Sequence, residues 1–286
     1  MKTVLITGAG GGIGKQTALY FTKNNWTVIA TVLHSTEGND FKDYPSVFCY
    51  EMDVTSTESI ASASKIILEN HPKIDTVINN AGMGYRSFVE LSEDKKIDDI
   101  VNLNWLGVVK VCRAFIPKFR QQKYGQFINI TSVAGLVNLP LGNFYHATKQ
   151  AVESFSECMA YELVDFNVSV ATVQFGNAPT SFQKNVTKCA TTEIVSYNKL
   201  IDIDSKTYID DKYRYIISNN NIIYLGREVY KNNEKINYIL ENSLENKNKY
   251  CKRLDDNKAK NISNTYIDNI IKTENKKTVC YKKKKD

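Results

Sequence analysis

Tyr145 and Lys149 stand four residues apart, a spacing that puts both side chains on one face of a helix. A tyrosine with its ordinary pKa of about 10 shuttles protons poorly at neutral pH. An ammonium held beside it favours the phenolate and lowers that value. The pair then suits giving a proton to a carbonyl oxygen, or taking one from an alcohol, while a hydride moves to or from a nicotinamide. Taken alone, Tyr-x-x-x-Lys is a common surface pair. Ser132 gives it context: it lies 13 residues before Tyr145 and follows the apolar run Phe127–Ile130, read as the fifth strand. Parallel sheets hold ligands at the carboxyl ends of their strands, so the serine hydroxyl can hold a substrate oxygen beside Tyr145. Its other reading is a turn or helix-capping serine.

A second chemical feature is the run Thr7-Gly8-Ala9-Gly10-Gly11-Gly12-Ile13-Gly14, which joins a first apolar strand to a helical pattern. Glycines there permit a tight turn, close approach of the backbone to a diphosphate, and close packing of the helix on the sheet. The helix N-terminus then offers free N–H groups and a positive dipole end to the phosphates. The spacing G-x-G-x-x-G fails from Gly8, because Ile13 stands where a third Gly is needed. T-G-x-x-x-G-x-G fits, through Gly8, Gly12 and Gly14. At the end of the second strand an acid suits the ribose of NAD and an Arg the extra phosphate of NADP; here the sequence reads Ala30-Thr31-Val32-Leu33-His34 and has neither. The missing acid argues against NAD, and His34 or Lys15 is left to meet a 2′-phosphate, so NADP(H) is expected over NAD(H).

These groups need a frame, and residues 1 to about 182 supply one. Short apolar runs at Val4–Thr7, Thr27–Val32, Val47–Glu51, Thr76–Asn79, Gln126–Ile130 and Val168–Val173 alternate with helical patterns. This predicts an α/β fold, a doubly wound parallel sheet of the Rossmann type. From about 183 the texture changes: Ala and Gly are reduced to Ala190, Gly226 and Ala259, there is no Pro, and Asn, Lys, Ile and Tyr dominate. Asn221–Gly226 suits one more strand and Glu228–Leu244 a helix, while the chain beyond Asn246 reads as frayed or disordered. The expected division is therefore a dinucleotide-binding and catalytic domain over 1–182 and an atypical, partly disordered C-terminal region over 183–286.

Net charge is +6 but uneven: residues 1–182 carry 15 Lys/Arg against 17 Asp/Glu, a net −2, and the rest 22 against 14, a net +8. The front part has no electrostatic reason to seek nucleic acid, and Lys282–Lys285 reads as a solvated run. No apolar run long enough for a membrane span is expected, and Val4–Ile6, broken by Gly8, is too short for a leader core; a cytoplasmic protein is expected. The six cysteines show no Cys-x-x-Cys pair, which suggests reduced, mostly buried thiols and no metal site.

Taken in order, these residues resemble the short-chain dehydrogenase/reductase family, in its shorter-subunit branch, over residues 1 to about 182. Thr7–Gly14, with Gly8, Gly12, Ile13 and Gly14, looks like the family's cofactor-binding glycine motif. Asp53-Val54 looks like the pair at the adenine ring, and Asn79-Asn80-Ala81-Gly82 like the sheet-stabilising motif beside the cofactor, with Asn80 facing it. Asn104 matches the asparagine that holds a proton-relay water. Ser132, Tyr145 and Lys149 match the remaining catalytic residues, Lys149 also binding the nicotinamide ribose. Gly176 and Thr180 fit the segment that touches the carboxamide, although Phe175 replaces the usual proline. The bland alternatives are a helix cap for Asp53, a turn former for Asn80 and an ordinary helix polar residue for Asn104.

The resemblance implies hydride transfer between NAD(P)(H) and a secondary alcohol or ketone, with a lipophilic substrate such as a steroid or retinoid suggested by analogy alone. The competing expectation is a weak or inactive cofactor-binding, redox-sensing protein of the same fold. The resemblance also implies a homodimer or homotetramer through the long helices near 104–122 and 145–165, where Ala147, Ala151 and Ala160 allow close packing.

Overall fold

The computed structural model describes residues 1–136, 138, 141–176, 182, 186–188, 193–195 and 197–198, together with the backbone of three strands, Tyr213–Ser218, Ile223–Arg227 and Cys251–Leu254. Strands β1 (Thr3–Ile6), β2 (Thr27–Val32), β3 (Val47–Glu51) and β4 (Thr76–Asn79) alternate with helices α1 (Gly12–Lys23) and α2 (Thr57–Asn70). A two-residue strand β5 (Tyr85–Arg86) follows. Then come α3 (Asp94–Val101), a π-turn (Asn102–Leu106), α4 (Gly107–Gln122), β6 (Gly125–Ser132), α5 (Asn143–Leu163) and β7 (Val168–Phe175). Thr187–Lys188 (β8) pairs with β5; the three later strands are β9, β10 and β11.

The main sheet runs β11-β9-β10-β7-β6-β4-β1-β2-β3. Pairing is parallel from β3 to β10 and antiparallel only where β9 meets β10 and β11. The order reverses at β1, which pairs with both β2 and β4, so a crevice opens at the carboxyl ends of these strands. Side chains alternate across the sheet. Val4, Ile6, Val28, Ala30, Ile78, Ile128 and Ile130 pack with Ala18 and Phe21 of α1. Leu5, Ile29, Val77 and Phe127 pack on the other face with Ile67 of α2, Val111, Phe115 and Phe119 of α4, and Val152 and Met159 of α5. Both faces of β1, β2, β4 and β6 are covered, which is why their cores read as apolar runs, whereas β3 at the edge is largely exposed.

Three of the expected strands match to the residue, at 27–32, 47–51 and 76–79; the others shift at their ends. The β6 shift is a correction for Ser132, which is the last residue of the strand rather than a residue after it. The predicted strand near 221–226 falls on β10, whereas β9 and β11 were not foreseen, and β11 lies in the stretch read as frayed. The helix expected over 228–244 lies outside the described residues. The expectation about apolar runs also needs correcting: the continuous helical stretch Asp94–Gln122 is long and apolar enough, by length and composition, to cross a bilayer. In this fold it packs Val108, Val111, Cys112, Phe115 and Phe119 into the core. The cysteines differ too: Cys112 is buried, but Cys49 and Cys158 are exposed.

A buried polar line crosses the middle of the sheet. Asn79 Nδ2 donates to Asn129 Oδ1 at 2.8 Å, Asn129 Nδ2 to Ser156 Oγ at 2.7 Å, and Ser156 Oγ to the Val152 carbonyl at 2.6 Å. Asn129 is fully buried, so losing its amide strands the partners without water to replace it. We predict that Asn129→Ala destabilises the protein by about 2 kcal/mol or more. Urea denaturation measures this, and an unchanged midpoint would show that the line contributes nothing.

Candidate active site

The first turn after β1 takes its shape from glycine. Gly8 and Gly12 adopt φ of +62° and +53°, where a side chain is strained. A Cβ on Gly14 would strike the Gly8 carbonyl and come within 2.5 Å of Asn80 Nδ2. Asn80 holds the turn from the other side, its Nδ2 donating to the Thr7 and Gly8 carbonyls at 2.9 and 3.1 Å. Thr7 Oγ1 answers by accepting from the Asn80 and Ala81 N–H groups. Helix α1 begins at Gly12 after Gly11, with no side chain capping its N–H groups and no acid in its first turn; a Cβ on Gly11 would meet nothing within 4 Å. Open backbone, free N–H groups and a positive helix end suit a diphosphate. The residues present therefore fit a dinucleotide, with Gly8, Gly12, Ile13 and Gly14 forming the cradle.

On the other side of β4 stands the polar pair. Lys149 is 6% exposed. Its Nζ donates to the Ile130 carbonyl of β6 at 3.0 Å and lies 5.8 Å from the centre of the Tyr145 ring, within cation–π range. Burial pulls its pKa down to about 8 against the Glu153 carboxylate, which raises it. Glu153 lies one further turn along α5 and accepts from Thr131 Oγ1, from Thr172 Oγ1 at 2.8 Å and from Gln174 Nε2 at 2.6 Å. It thereby ties α5 to β6 and β7. Sequence reading overlooked Glu153, although the spacing 145, 149, 153 marks one helical face.

Asn104 is fully buried in the π-turn. Its Oδ1 accepts from the Met83 N–H and its Nδ2 donates to the Met83 carbonyl, both at 2.8 Å, and to Thr148 Oγ1 at 3.4 Å. A Cβ on Gly82 would lie 3.1 Å from Asn104 Oδ1 and 3.7 Å from Lys149 Nζ, so Asn104, Gly82 and Lys149 come together. Ser132 ends β6 and its Oγ accepts from the Ala134 N–H at 3.2 Å, making it a turn cap at a ligand-facing strand end. Its strand partner is Phe175, the neighbour of Gly176.

Other expected residues sit differently. Asp53 Oδ1 accepts from Thr55 N–H and Oγ1 in its own turn, and the cap of α2 is Ser56, not Asp53. Val54 is buried with its Cγ2 3.0 Å from where a Cβ on Gly107 would be. Thr180 lies outside the described residues. Phe182, not foreseen, places its ring 6.1 Å from that of Tyr145. Phe182 and Val186 also crowd Gly84, where a Cβ would come within 3.3 and 2.6 Å of them.

Residues 2–190 match the family model described as short chain dehydrogenase. Among curated proteins, the chain is 36% identical over 184 residues to a 3-ketodihydrosphingosine reductase of Bacteroides thetaiotaomicron, covering 64% of this chain and 66% of that protein. Among solved structures, a 3-ketoacyl-(acyl-carrier-protein) reductase from Brucella melitensis complexed with NADH is 26% identical, with a TM-score of 0.63 over 65% of this chain and 79% of that one. An alcohol dehydrogenase from Thermococcus sibiricus complexed with 5-hydroxy-NADP is 25% identical, with a TM-score of 0.61 over 66% and 82%. The chain spans less than two thirds of the length of the first curated relatives it matches.

The electrostatics of Lys149 can be read directly. We predict a midpoint near 8 in a carbon-13 NMR titration of lysine-labelled protein, with Lys149 assigned from the Lys149→Met spectrum. In Glu153→Gln the midpoint falls further, because the carboxylate that raises it is gone. A midpoint near the ordinary value of about 10.4 would contradict the buried-cation picture.

Proposed function

The chain belongs to the short-chain dehydrogenase family, and from that premise we propose that it transfers a hydride between NAD(P)(H) and a secondary alcohol or ketone of lipophilic character. The observation that carries the reading is the buried Lys149 ammonium, fixed by the Ile130 carbonyl and set against the Tyr145 ring. The adjoining glycine turn is shaped for a dinucleotide.

On this reading Gly8, Gly12, Ile13 and Gly14 present main-chain N–H groups to the diphosphate, while Asn80 keeps the turn in shape. When bound, the nicotinamide supplies or takes the hydride. Tyr145 Oη gives its proton to the carbonyl oxygen in reduction and takes it back in oxidation. The Lys149 ammonium favours the phenolate form of that tyrosine and donates to the nicotinamide ribose. Ser132 Oγ, already at the carboxyl edge of the sheet, steers the substrate oxygen. The Asn104 amide is committed to Met83 and Thr148, so it positions, and its main chain in the π-turn holds the relay water; such turns are frequent at functional sites. Asp53, Val54, Gly176 and Thr180 complete the cofactor site.

The lipophilic substrate class rests on the walls beside Tyr145. Phe182 and Val186 close over Gly84, and buried Tyr85 stacks on Phe144 at 5.9 Å. An apolar wall there favours a carbon-rich ketone over a charged one. The reading carries with it a cytoplasmic homo-oligomer joined through α4 and α5, where Tyr161 of α5, Trp105 in the π-turn before α4, and Val164 and Phe166 just after α5 are exposed; sedimentation as a monomer at micromolar concentration would count against that assembly.

We predict that Tyr145→Phe lowers kcat by about 100-fold or more on a panel of lipophilic ketones, while fluorescence titration still shows cofactor binding. Turnover retained in Tyr145→Phe would remove the tyrosine from the chemistry. Binding without turnover by the unaltered protein on any ketone would instead favour a redox-sensing protein of this fold.

A further inference from the structure

The far end of the glycine turn carries a carboxylate that the expected cofactor preference did not take into account. Glu37 lies five residues beyond the last residue of β2, in a short 3-10 segment, Ser35–Phe41, and folds back over the turn. A Cβ on Gly10 would come within 2.5 Å of its Oε2 and 2.8 Å of its Cβ. The Leu33 N–H, just past the end of β2, donates to that Oε2 at 3.4 Å. Bare glycine at position 10 is thus what lets an acid reach the place where the first and second strands end together. In folds of this order that corner receives the adenosine ribose, and an acid there accepts from its 2′-hydroxyl.

Of the two groups that the sequence offered for a 2′-phosphate, one is already paired and the other stands near a carboxylate. Lys15 Nζ meets Asp40 Oδ2 at 2.5 Å. His34 faces Glu51, whose Oε1 accepts from the Ser35 N–H at 2.5 Å. The Glu51 carboxyl is held below the ordinary carboxylate range by the Ser35 bonds and, to a lesser extent, by His34. A phosphate at this rim would therefore meet the Glu37 carboxylate while Lys15 is already paired with Asp40, and like charges brought together disfavour a ligand.

We propose that Glu37 makes this chain selective for NAD(H), accepting from the adenosine ribose and repelling the 2′-phosphate of NADP(H). The inference rests on the dinucleotide reading above and reverses the preference expected from the bare end of β2. Glu37 is exposed, so neutralising it leaves the core untouched.

The test is direct titration of the full-length chain with NADH and NADPH, followed by fluorescence, for the unaltered protein and Glu37→Gln. A second pair of probes, AMP and adenosine 2′,5′-bisphosphate, reads the adenosine end alone. NADH should bind tighter than NADPH by about ten-fold or more, and AMP should bind tighter than the bisphosphate. Glu37→Gln should bring each pair within about three-fold, mainly by strengthening the phosphorylated member, as expected when a repulsive charge is removed. Equal or tighter binding of NADPH, or a preference unchanged by Glu37→Gln, would overturn the assignment to Glu37 while leaving the dinucleotide reading in place. Binding of neither nucleotide would overturn both.

Discussion

An ammonium taken out of water must recover by other contacts most of the hydration it gives up, and the architecture around Lys149 meets that demand. The carbonyl that accepts from it comes from β6, at Ile130; the lysine itself comes from α5. The contact therefore exists only if the helix docks at a fixed height on the sheet. One glycine eases that approach: a Cβ on Gly135 would lie 3.3 Å from the Lys149 carbonyl and 3.1 Å from Glu153 Cγ, closer than side chains ordinarily sit. Glu153 then does two things at once: its charge supports the ammonium form, and its oxygens gather Thr131, Thr172 and Gln174 from two strands. Packing of α5 and protonation of Lys149 are thus coupled through one side chain, and a change that loosens the first disturbs the second.

The same logic links the two halves of the site. The segment after β4 is the shared wall. Asn80 and Ala81 bind the glycine turn through Thr7 and Gly8, while Met83, two residues on, is clamped by Asn104. Asn104 in turn donates to Thr148, the neighbour of Lys149. A polar path therefore runs from the glycine turn, along the segment after β4, to the residue beside Lys149. The side-chain amides of Asn80 and Asn104 thus grip one backbone segment from both ends, and such fixed placement is what a reaction needing both groups in register requires.

Much of this was legible in the residues, for a physical reason. Strands buried on both faces must be apolar throughout, so β2 and β4 announced themselves to the residue, while β3 at the exposed sheet edge was found by its β-prone residues. Gly8, Gly12 and Gly14 announced themselves because a side chain is strained or crowded at their positions. What stayed hidden depends on through-space placement. Glu153 reads as one more surface acid until β6 and β7 present three donors to it. Glu37 reads as a loop residue because it lies beyond the strand end where an acid is sought, and only a fold-back over Gly10 brings it to the corner. Asp53 is a middle case: its place in the family motif suggested a ligand contact, and its own turn uses only one carboxylate oxygen, in hydrogen bonds to Thr55.

The division between chemistry and selectivity follows from where the chain changes character. The residues proposed for proton transfer lie on β6 and α5, held by buried bonds on both sides, and the family match ends at residue 190. The apolar wall near Tyr145, by contrast, is built from Phe182 and Val186 at the edge of that match. Beyond it, β10 joins β7 through the single pair Tyr224 and Gln174 among the described residues, where β6 and β7 share eight. Substitution at Phe182 or Val186 can alter what fits beside Tyr145 without touching the Lys149 contact or the glycine turn, so one frame can serve more than one substrate.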